Sequence, residues 1–421
     1  MLIHSASQLL TLAGGPQRGP ALGNLGIIPD GAVLIQADKI IETGTTANLL
    51  KKYPREPRLD ARGKVVMPGF VDPHTHLIWA GDRAEEFELK LQGKTYLEIL
   101  AAGGGILSTV RQTRSASVEE LMKQTRKRAL SLLKHGTTTA EVKTGYGLEM
   151  QAELNQLEAI LRLDTEGPLE MIPTFLGAHA VPPEYKDDAD GYTSLICTEM
   201  LLKIKAWWQD NAAGRPLPFV DVFCETGAFS LQQTRRILET AQKSVFPLKV
   251  HADEFDNLGG ASLAVELGAV SADHLVKTSK KDIDALGGSN TVAVALPCTP
   301  FGLAEQQYMP ARAILDAGGV LAIASDINPG LAWGESMQFV IALACRYLCI
   351  TPAQAIVAAT INAAAAVGAA DRLGSLEAGK QADLLILTES DYRHLGYRFA
   401  TNLVDTVIKK GWPVVRRQEI V

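Results

Sequence analysis

The chain lacks a CxxC pair, a basic stripe and any uninterrupted apolar run of membrane length. Each absence removes a class of function. Its five cysteines, Cys197, Cys224, Cys298, Cys345 and Cys349, are scattered and odd in number. That pattern argues against a disulfide framework and for reduced thiols in a cytoplasmic protein. A formal net charge of −6 leaves no electrostatic footprint for nucleic acid. The longest apolar stretch, AIVAATINAAAAVGAA from Ala355 to Ala370, is interrupted by Thr360 and Asn362. It is too short and too rich in alanine to span a bilayer, so one packed helix after Thr351-Pro352 is expected there. The opening MLIHSASQLLTLAGG has neither a basic segment nor a sustained apolar core, and no signal peptide is expected. Neither nucleic acid nor membrane is expected as a partner.

What is present is a large stock of core-forming residues. Of 421 residues, 47% are hydrophobic and 21% charged, which suits a globular chain with a sizeable core. Between Gly69 and Gly330 a short β-rich run, a polar residue at its end and a helical stretch recur. The runs are GFVDPHTH, TTTAEVK, EMIPTFLGAH, FVDVFCE, PLKVHADE, GAVSADH, NTVAVALP and GGVLAIASD. Between them lie stretches such as VEELMKQTRKRALSLLKHG and SLQQTRRILETAQKS, apolar at helical spacing. Such alternation, with nearly continuous apolar strands, predicts an α/β fold: a parallel (β/α)8 TIM barrel covered on both faces.

The flanks read differently. GAVLIQADKIIETG and RLDARGKVVMPG before the barrel, and GKQADLLILTES and TVIKKGWPVV after it, alternate strand-like runs with turns. Neither flank has enough strands to bury a face alone, so both are expected to pair into one small β-sandwich domain. The expected division is residues 1–66 and 366–421 for the β-sandwich and 67–365 for the barrel.

In such a barrel, chemical groups from distant sequence gather at the C-terminal ends of the strands. Those ends carry His74 and His76 on the first run, His179 just past the third, His251 on the fifth, His274 on the sixth and Asp326 on the eighth. The chain has only eight histidines, and five of them fall at such ends. Taken alone, His74-x-His76 puts two rings on one face of a strand, which suits joint ligation and two solvated rings equally. Only closure of a barrel brings His251 and Asp326 to that pair. Given the barrel, three imidazoles and a carboxylate are expected around one divalent ion, zinc first and iron second. A water held at an open position of that ion would have a pKa near about 7, which means hydrolysis or deamination.

GFVDPHTH, the later His251, His274 and Asp326, and the closing GSLEAGKQADLLIL resemble the amidohydrolase superfamily of metal-dependent barrel hydrolases. Within it, EVKTGYGL from Glu141, KVHADEF from Lys249 and SDINPGLAWGESM from Ser325 are similar to the imidazolonepropionase family, ring-opening hydrolases of histidine degradation. The resemblance runs over essentially the whole chain. It implies a small-molecule substrate, 4-imidazolone-5-propanoate, opened at a cyclic amide C–N bond to N-formimidoyl-L-glutamate. It also implies one zinc or iron ion per chain and a homodimer. Position by position, His74, His76, His251 and Asp326 match metal ligands. Arg83, Tyr146 and His179 match residues that grip the carboxylate and the ring, while Glu254, His274, Asn328 and Gly330 match groups at the reacting end or the product. Leu331 departs from the family, where that position is often small and polar; a backbone contact there is compatible with leucine and a hydroxyl contact is not.

The chemistry fits those assignments. Arg83 can form a two-pronged pair with the substrate carboxylate, with the Tyr146 hydroxyl as a second donor. His274 is expected to stabilise the attacked carbonyl oxygen, and Asp326 or Glu254 to carry the proton from water to the leaving nitrogen. Binuclear relatives carry a bridging carboxylated lysine at the end of the fourth strand. Here that strand ends in Cys224-Glu225 and Lys143 follows the second, so a single metal is expected. A deaminase of a heterocyclic base would share the ligands, yet it needs no Arg83–Tyr146 clamp and it releases ammonia. A non-catalytic metal-binding or assembly protein should have lost ligands or proton carriers, and none is missing. Two glycine-rich stretches are not nucleotide loops. GSLEAGKQ (Gly374 to Gln381) has glutamine where a phosphate loop needs Ser or Thr, and precedes a strand-like run, so a turn is expected. AAGGGILST (Ala101 to Thr109) lacks G-x-G-x-x-G order and is expected to be a mobile loop over the site.

Overall fold

Each of the recurring runs becomes a strand in the computed structural model, which describes residues 1–94, 98 and 103–421. They are β1 (Phe70–Asp72), β2 (Thr137–Lys143), β3 (Glu170–Ala178), β4 (Phe219–Cys224), β5 (Lys249–Ala252), β6 (Ser271–His274), β7 (Val292–Ala295) and β8 (Val320–Ile323). They lie in chain order in one eight-stranded sheet with parallel neighbours. Nearly every strand residue is buried, as expected where helices cover one face and the barrel interior the other. The two ends of the sheet meet just beyond the strands. Asp326 N–H donates to His74 O at 3.1 Å, and His76 N–H to Ile327 O at 3.0 Å. The seam of the barrel therefore runs through the segments that carry the candidate ligands.

The helices obey their local signals. Ser117 caps Val118–Lys134 by accepting from Glu120 N–H, and that helix buries Leu121, Met122, Thr125, Ala129, Leu132 and Leu133 on one stripe. Ser230 and Gln233 form a capping box at the start of Leu231–Lys243. The alanine-rich stretch differs from expectation: it is two helices, Pro352–Ala358 and Ile361–Ala366. At the break the Thr360 hydroxyl bonds back to Ile356 O at 2.6 Å, and Val71 N–H of β1 takes the Ala359 carbonyl at 3.0 Å. A tertiary bond to the first barrel strand has displaced a helical one. No described helix is long and apolar enough to cross a membrane.

Strands from both termini form one nine-stranded mixed sheet. Val65–Pro68 sits where the two ends of the chain meet, parallel to Leu2–Leu10 and antiparallel to Leu384–Leu387. Ile3, Leu9, Val33 and Ile35 from one half share an apolar cluster with Leu384, Ile386 and Ile408 from the other. The expected sandwich is thus a single continuous sheet folded over one core, with Ile40 N–H donating to Lys380 O where its halves approach. Gly374 to Gln381 is the turn leading into Leu384–Leu387. Of the glycine-rich 101–109 stretch, Ala101 and Ala102 lie outside the described residues. From Ile106 onward it is not a loop but the first turn of the helix Ile106–Ser115. Gly105, at φ 74°, begins that helix, and its N–H donates to Glu86 Oε1 at 3.0 Å.

Candidate functional site

The C-terminal ends of the barrel strands bring the histidines into one buried group. His74 and His76 leave β1 on the same face, as their i, i+2 spacing requires. The ring centres of His74 and His251 are 4.4 Å apart, those of His251 and His274 5.2 Å, and His179 stacks on His76 at 4.7 Å. Asp326 Oδ1 lies 3.5 Å from both His74 Nε2 and His76 Nε2. His274 reaches this group by a kink. Asp273 in β6 faces the barrel interior, so regular alternation would send the next side chain outward. His274 instead takes φ 78°, a left-handed conformation rare for a residue with a side chain, and its ring turns back to the centre. Asp326 does the same at φ 54°.

The residues present fit a metal ion. Burial pushes the His74, His76 and His274 imidazoles well below the usual histidine range, so their lone pairs are available. His74 Nδ1–H donates to Asp273 Oδ2 at 2.6 Å, and His251 Nδ1 lies 3.0 Å from Asp221 Oδ2. The His74 ring therefore carries its proton on Nδ1 and turns a bare Nε2 inward, while Asp221 braces His251 by accepting its backbone N–H at Oδ1, at 3.2 Å. His251 Nε2 faces His76 Nε2 at 3.3 Å, a contact between nitrogens that a cation relieves. His74 Nε2 and Asp326 Oδ1 are buried without a hydrogen-bond partner among the described residues. Asp326 is raised to about 6 by burial, against the Thr299 hydroxyl that donates to its other oxygen. Two groups of potential ligand atoms overlap on His74: His74, His76 and Asp326, and His74, His251 and His274. Neutral imidazoles with one carboxylate are a donor set for zinc or another first-row ion.

Beside this group lie donors for a substrate. The Tyr146 ring is 5.9 Å from that of His76, and its hydroxyl has no hydrogen-bond partner among the described residues. Burial and the Asp326 charge hold that hydroxyl protonated, above the usual phenol range. His179 Nδ1–H donates to Gly145 O at 3.0 Å, which leaves Nε2 as an acceptor; burial and His251 push its value down to about 3. Arg83 spends Nε on Glu86 Oε2 at 2.8 Å. Its Nη1 sits only 2.3 Å from where a Cβ on Gly330 would be. Asn328 holds this loop: Oδ1 accepts from Gly330 N–H at 2.9 Å and Leu331 N–H at 2.8 Å, while Nδ2 donates to Asp326 O at 2.7 Å. The Leu331 N–H is thus already engaged. Glu254 Oε2 is 3.7 Å from His274 Nδ1, and burial, with Asp326 next, keeps its carboxyl well above the usual range.

Sequence reasoning missed Asp221, Asp273 and Thr299, which brace His251, His74 and Asp326. A signal existed for two of them. Asp221 in FVDVFC and Asp273 in SADH are acidic residues inside otherwise apolar or small strands, and a charge buried there needs a partner. Thr299 gave no such signal.

The amidohydrolase family matches residues 65–414 of the chain. The imidazolonepropionase of Herpetosiphon aurantiacus is 50% identical over 419 residues, covering 100% of this chain and 98% of that protein. The imidazolonepropionase of Chloroflexus aggregans is 49% identical over 422 residues, covering 99% of each. Among solved structures, an adenosine deaminase from Xanthomonas campestris with bound zinc has a TM-score of 0.70 at 19% identity, covering 100% of this chain and 94% of that one. A 5-methylcytosine deaminase from Klebsiella pneumoniae has a TM-score of 0.73 at 18% identity, covering 99% and 98%. At that level of identity the structures share a fold with this chain.

Proposed function

The chain belongs to the amidohydrolase family, and from that premise we propose that it hydrolyses 4-imidazolone-5-propanoate to N-formimidoyl-L-glutamate in histidine degradation. The observation that carries this reading is the Tyr146 hydroxyl, unpartnered among the described residues, together with Arg83, whose Nη1 edge faces Gly330. That pair answers a carboxylate, which the substrate has and a nucleobase lacks.

His74, His76, His251 and Asp326 would hold one zinc or iron ion, which when bound supplies a Lewis acid that activates water near neutral pH. Arg83 and Tyr146 anchor the propanoate. The bare Nε2 of His179 accepts a ring N–H and fixes which carbon faces the water. His274 donates to the carbonyl oxygen as it gains negative charge, and Glu254 beside it sets that ring. The proton lost by water must reach the ring nitrogen as the C–N bond breaks. Asp326 and Glu254 are the carboxyls on that path. Lys143 is gripped by Glu141 and Asp221 at 2.7 and 2.8 Å, which supports a single metal over a lysine-bridged pair. A cytoplasmic homodimer completes the reading; the expected domain boundaries at 66/67 and 365/366 move to just after Pro68 and Ala366, because Val65–Pro68 pairs within the terminal sheet and Ile361–Ala366 is one helix.

The test is a substrate screen of the metal-loaded protein with imidazolone propanoate beside purines and cytosines. Ring opening without ammonia is expected. Ammonia release from a base, with no ring opening, would make the chain a deaminase.

A further inference from the structure

Beneath the site, inside the barrel, lie five fully buried ionisable residues: Glu141 and Lys143 of β2, Asp221 of β4, Lys249 of β5 and Asp273 of β6. Lys143 Nζ is 2.7 Å from Glu141 Oε1, 2.8 Å from Asp221 Oδ2 and 3.7 Å from Asp273 Oδ2. The same two aspartate oxygens face the site histidines: Asp273 Oδ2 accepts from His74 Nδ1–H and Asp221 Oδ2 lies against His251 Nδ1. One ammonium therefore stands behind two rings that come from β1 and β5. The backbone adds a third tie, because Lys143 N–H donates to Thr75 O at 2.9 Å, between His74 and His76.

We propose that Lys143 is a positioning residue for the metal site, tying Asp221 and Asp273 together so that His251 and His74 present Nε2 at a fixed separation. The inference rests on the reading that those two histidines are ligands. Its geometry follows from the barrel. Strands β2, β4 and β6 alternate round the wall, and their inward side chains meet in one layer. A lysine is long enough to reach across that layer from β2 to both aspartates. Lys249 is no substitute, since its Nζ is engaged by Pro73 O at 2.8 Å and Ala366 O at 3.2 Å and approaches only Asp273, at 3.8 Å. Without Lys143, Glu141 and Asp221 face each other across a dry interior with no cation between them. One must move or take up a proton, and His251 loses a fixed support.

Lys143→Met removes the charge at nearly constant volume. Lys143→Met/Glu141→Gln removes a positive and a negative charge together, so the cluster keeps its net charge while the tie is lost. Zinc affinity is read by competition against a chelating indicator, and the cobalt-substituted protein gives an absorption spectrum of the site. Both variants should bind zinc at least tenfold more weakly than wild type and shift the cobalt bands. Wild-type zinc affinity and a wild-type cobalt spectrum in the double variant would overturn the proposal and leave Lys143 a charge-balancing residue of the core. Where Lys143→Met fails to fold, the charge-balanced variant carries the test. A wild-type chain without zinc affinity would instead bring down the metal reading itself, so the two failures are told apart.

Discussion

At Gly330 the absence of a single carbon decides where a guanidinium can sit. A Cβ there would come within 2.3 Å of Arg83 Nη1, so Gly330→Ala must push the arginine out of place. If Arg83 anchors the substrate carboxylate, that variant should raise KM about tenfold or more, the scale of one charge-assisted hydrogen bond, and keep its metal. An unchanged KM would remove Arg83 from the clamp. His274 gives a second contrast. Its Nε2 is buried without a hydrogen-bond partner among the described residues and falls in one of the two potential ligand groups. As an oxyanion donor it should be dispensable for binding metal. His274→Asn should keep one equivalent of zinc and lose on the order of a hundredfold to a thousandfold in kcat. Loss of zinc would make His274 a ligand. The residues themselves were legible, because strand ends rich in histidine carry the same message in any parallel barrel. That His274 and its neighbour Asp273 both reach the centre was not legible, since it depends on one residue at φ 78° that strand periodicity forbids.

Elements were read best where one local rule governed them. Every barrel strand was found, because two-sided burial makes each a continuous apolar run. The alanine-rich stretch was read as one helix because alanine favours helix everywhere, and nothing local announces that Val71 will claim the Ala359 carbonyl. The loop after β8 shows the same limit. Its shape depends on Gly302, at the end of the short helix Cys298–Gly302, where a Cβ would lie 1.8 Å from Leu331 O. Gly302→Ala should therefore displace the segment that carries Asn328 and Gly330, although it is far from them in sequence. A raised KM with unchanged zinc content, measured on protein with a wild-type circular dichroism spectrum, is the expected result. Unchanged kinetics would mean that the loop yields without moving Arg83 or Asn328.

Across the whole molecule, the terminal sheet and the barrel are joined by a buried ion cluster on the side away from the chemistry. Lys409 of the sheet places Nζ 2.6 Å from Asp383 Oδ2 and 3.0 Å from Glu170 Oε2 at the start of β3, and Arg372 reaches Glu170 Oε1 at 2.5 Å. The barrel's N-terminal face serves stability, so this joint should affect folding and spare turnover. Burial alone would raise the Glu170 carboxyl, but Lys409 and Arg372 outweigh it and hold the group below its ordinary value of 4.5. A depressed folded value fixes the sign. The contribution is complete above about pH 4.5, the unfolded value, and is lost as the pH falls towards the folded one. Glu170→Gln should cost ~3 kcal/mol at pH 7, the scale of a broken buried pair, and less at pH 3, with kcat unchanged wherever the protein is folded. The check is urea unfolding of both proteins at the two pH values. A gap that stayed constant with pH would mean that Glu170 acts there by packing and not by charge.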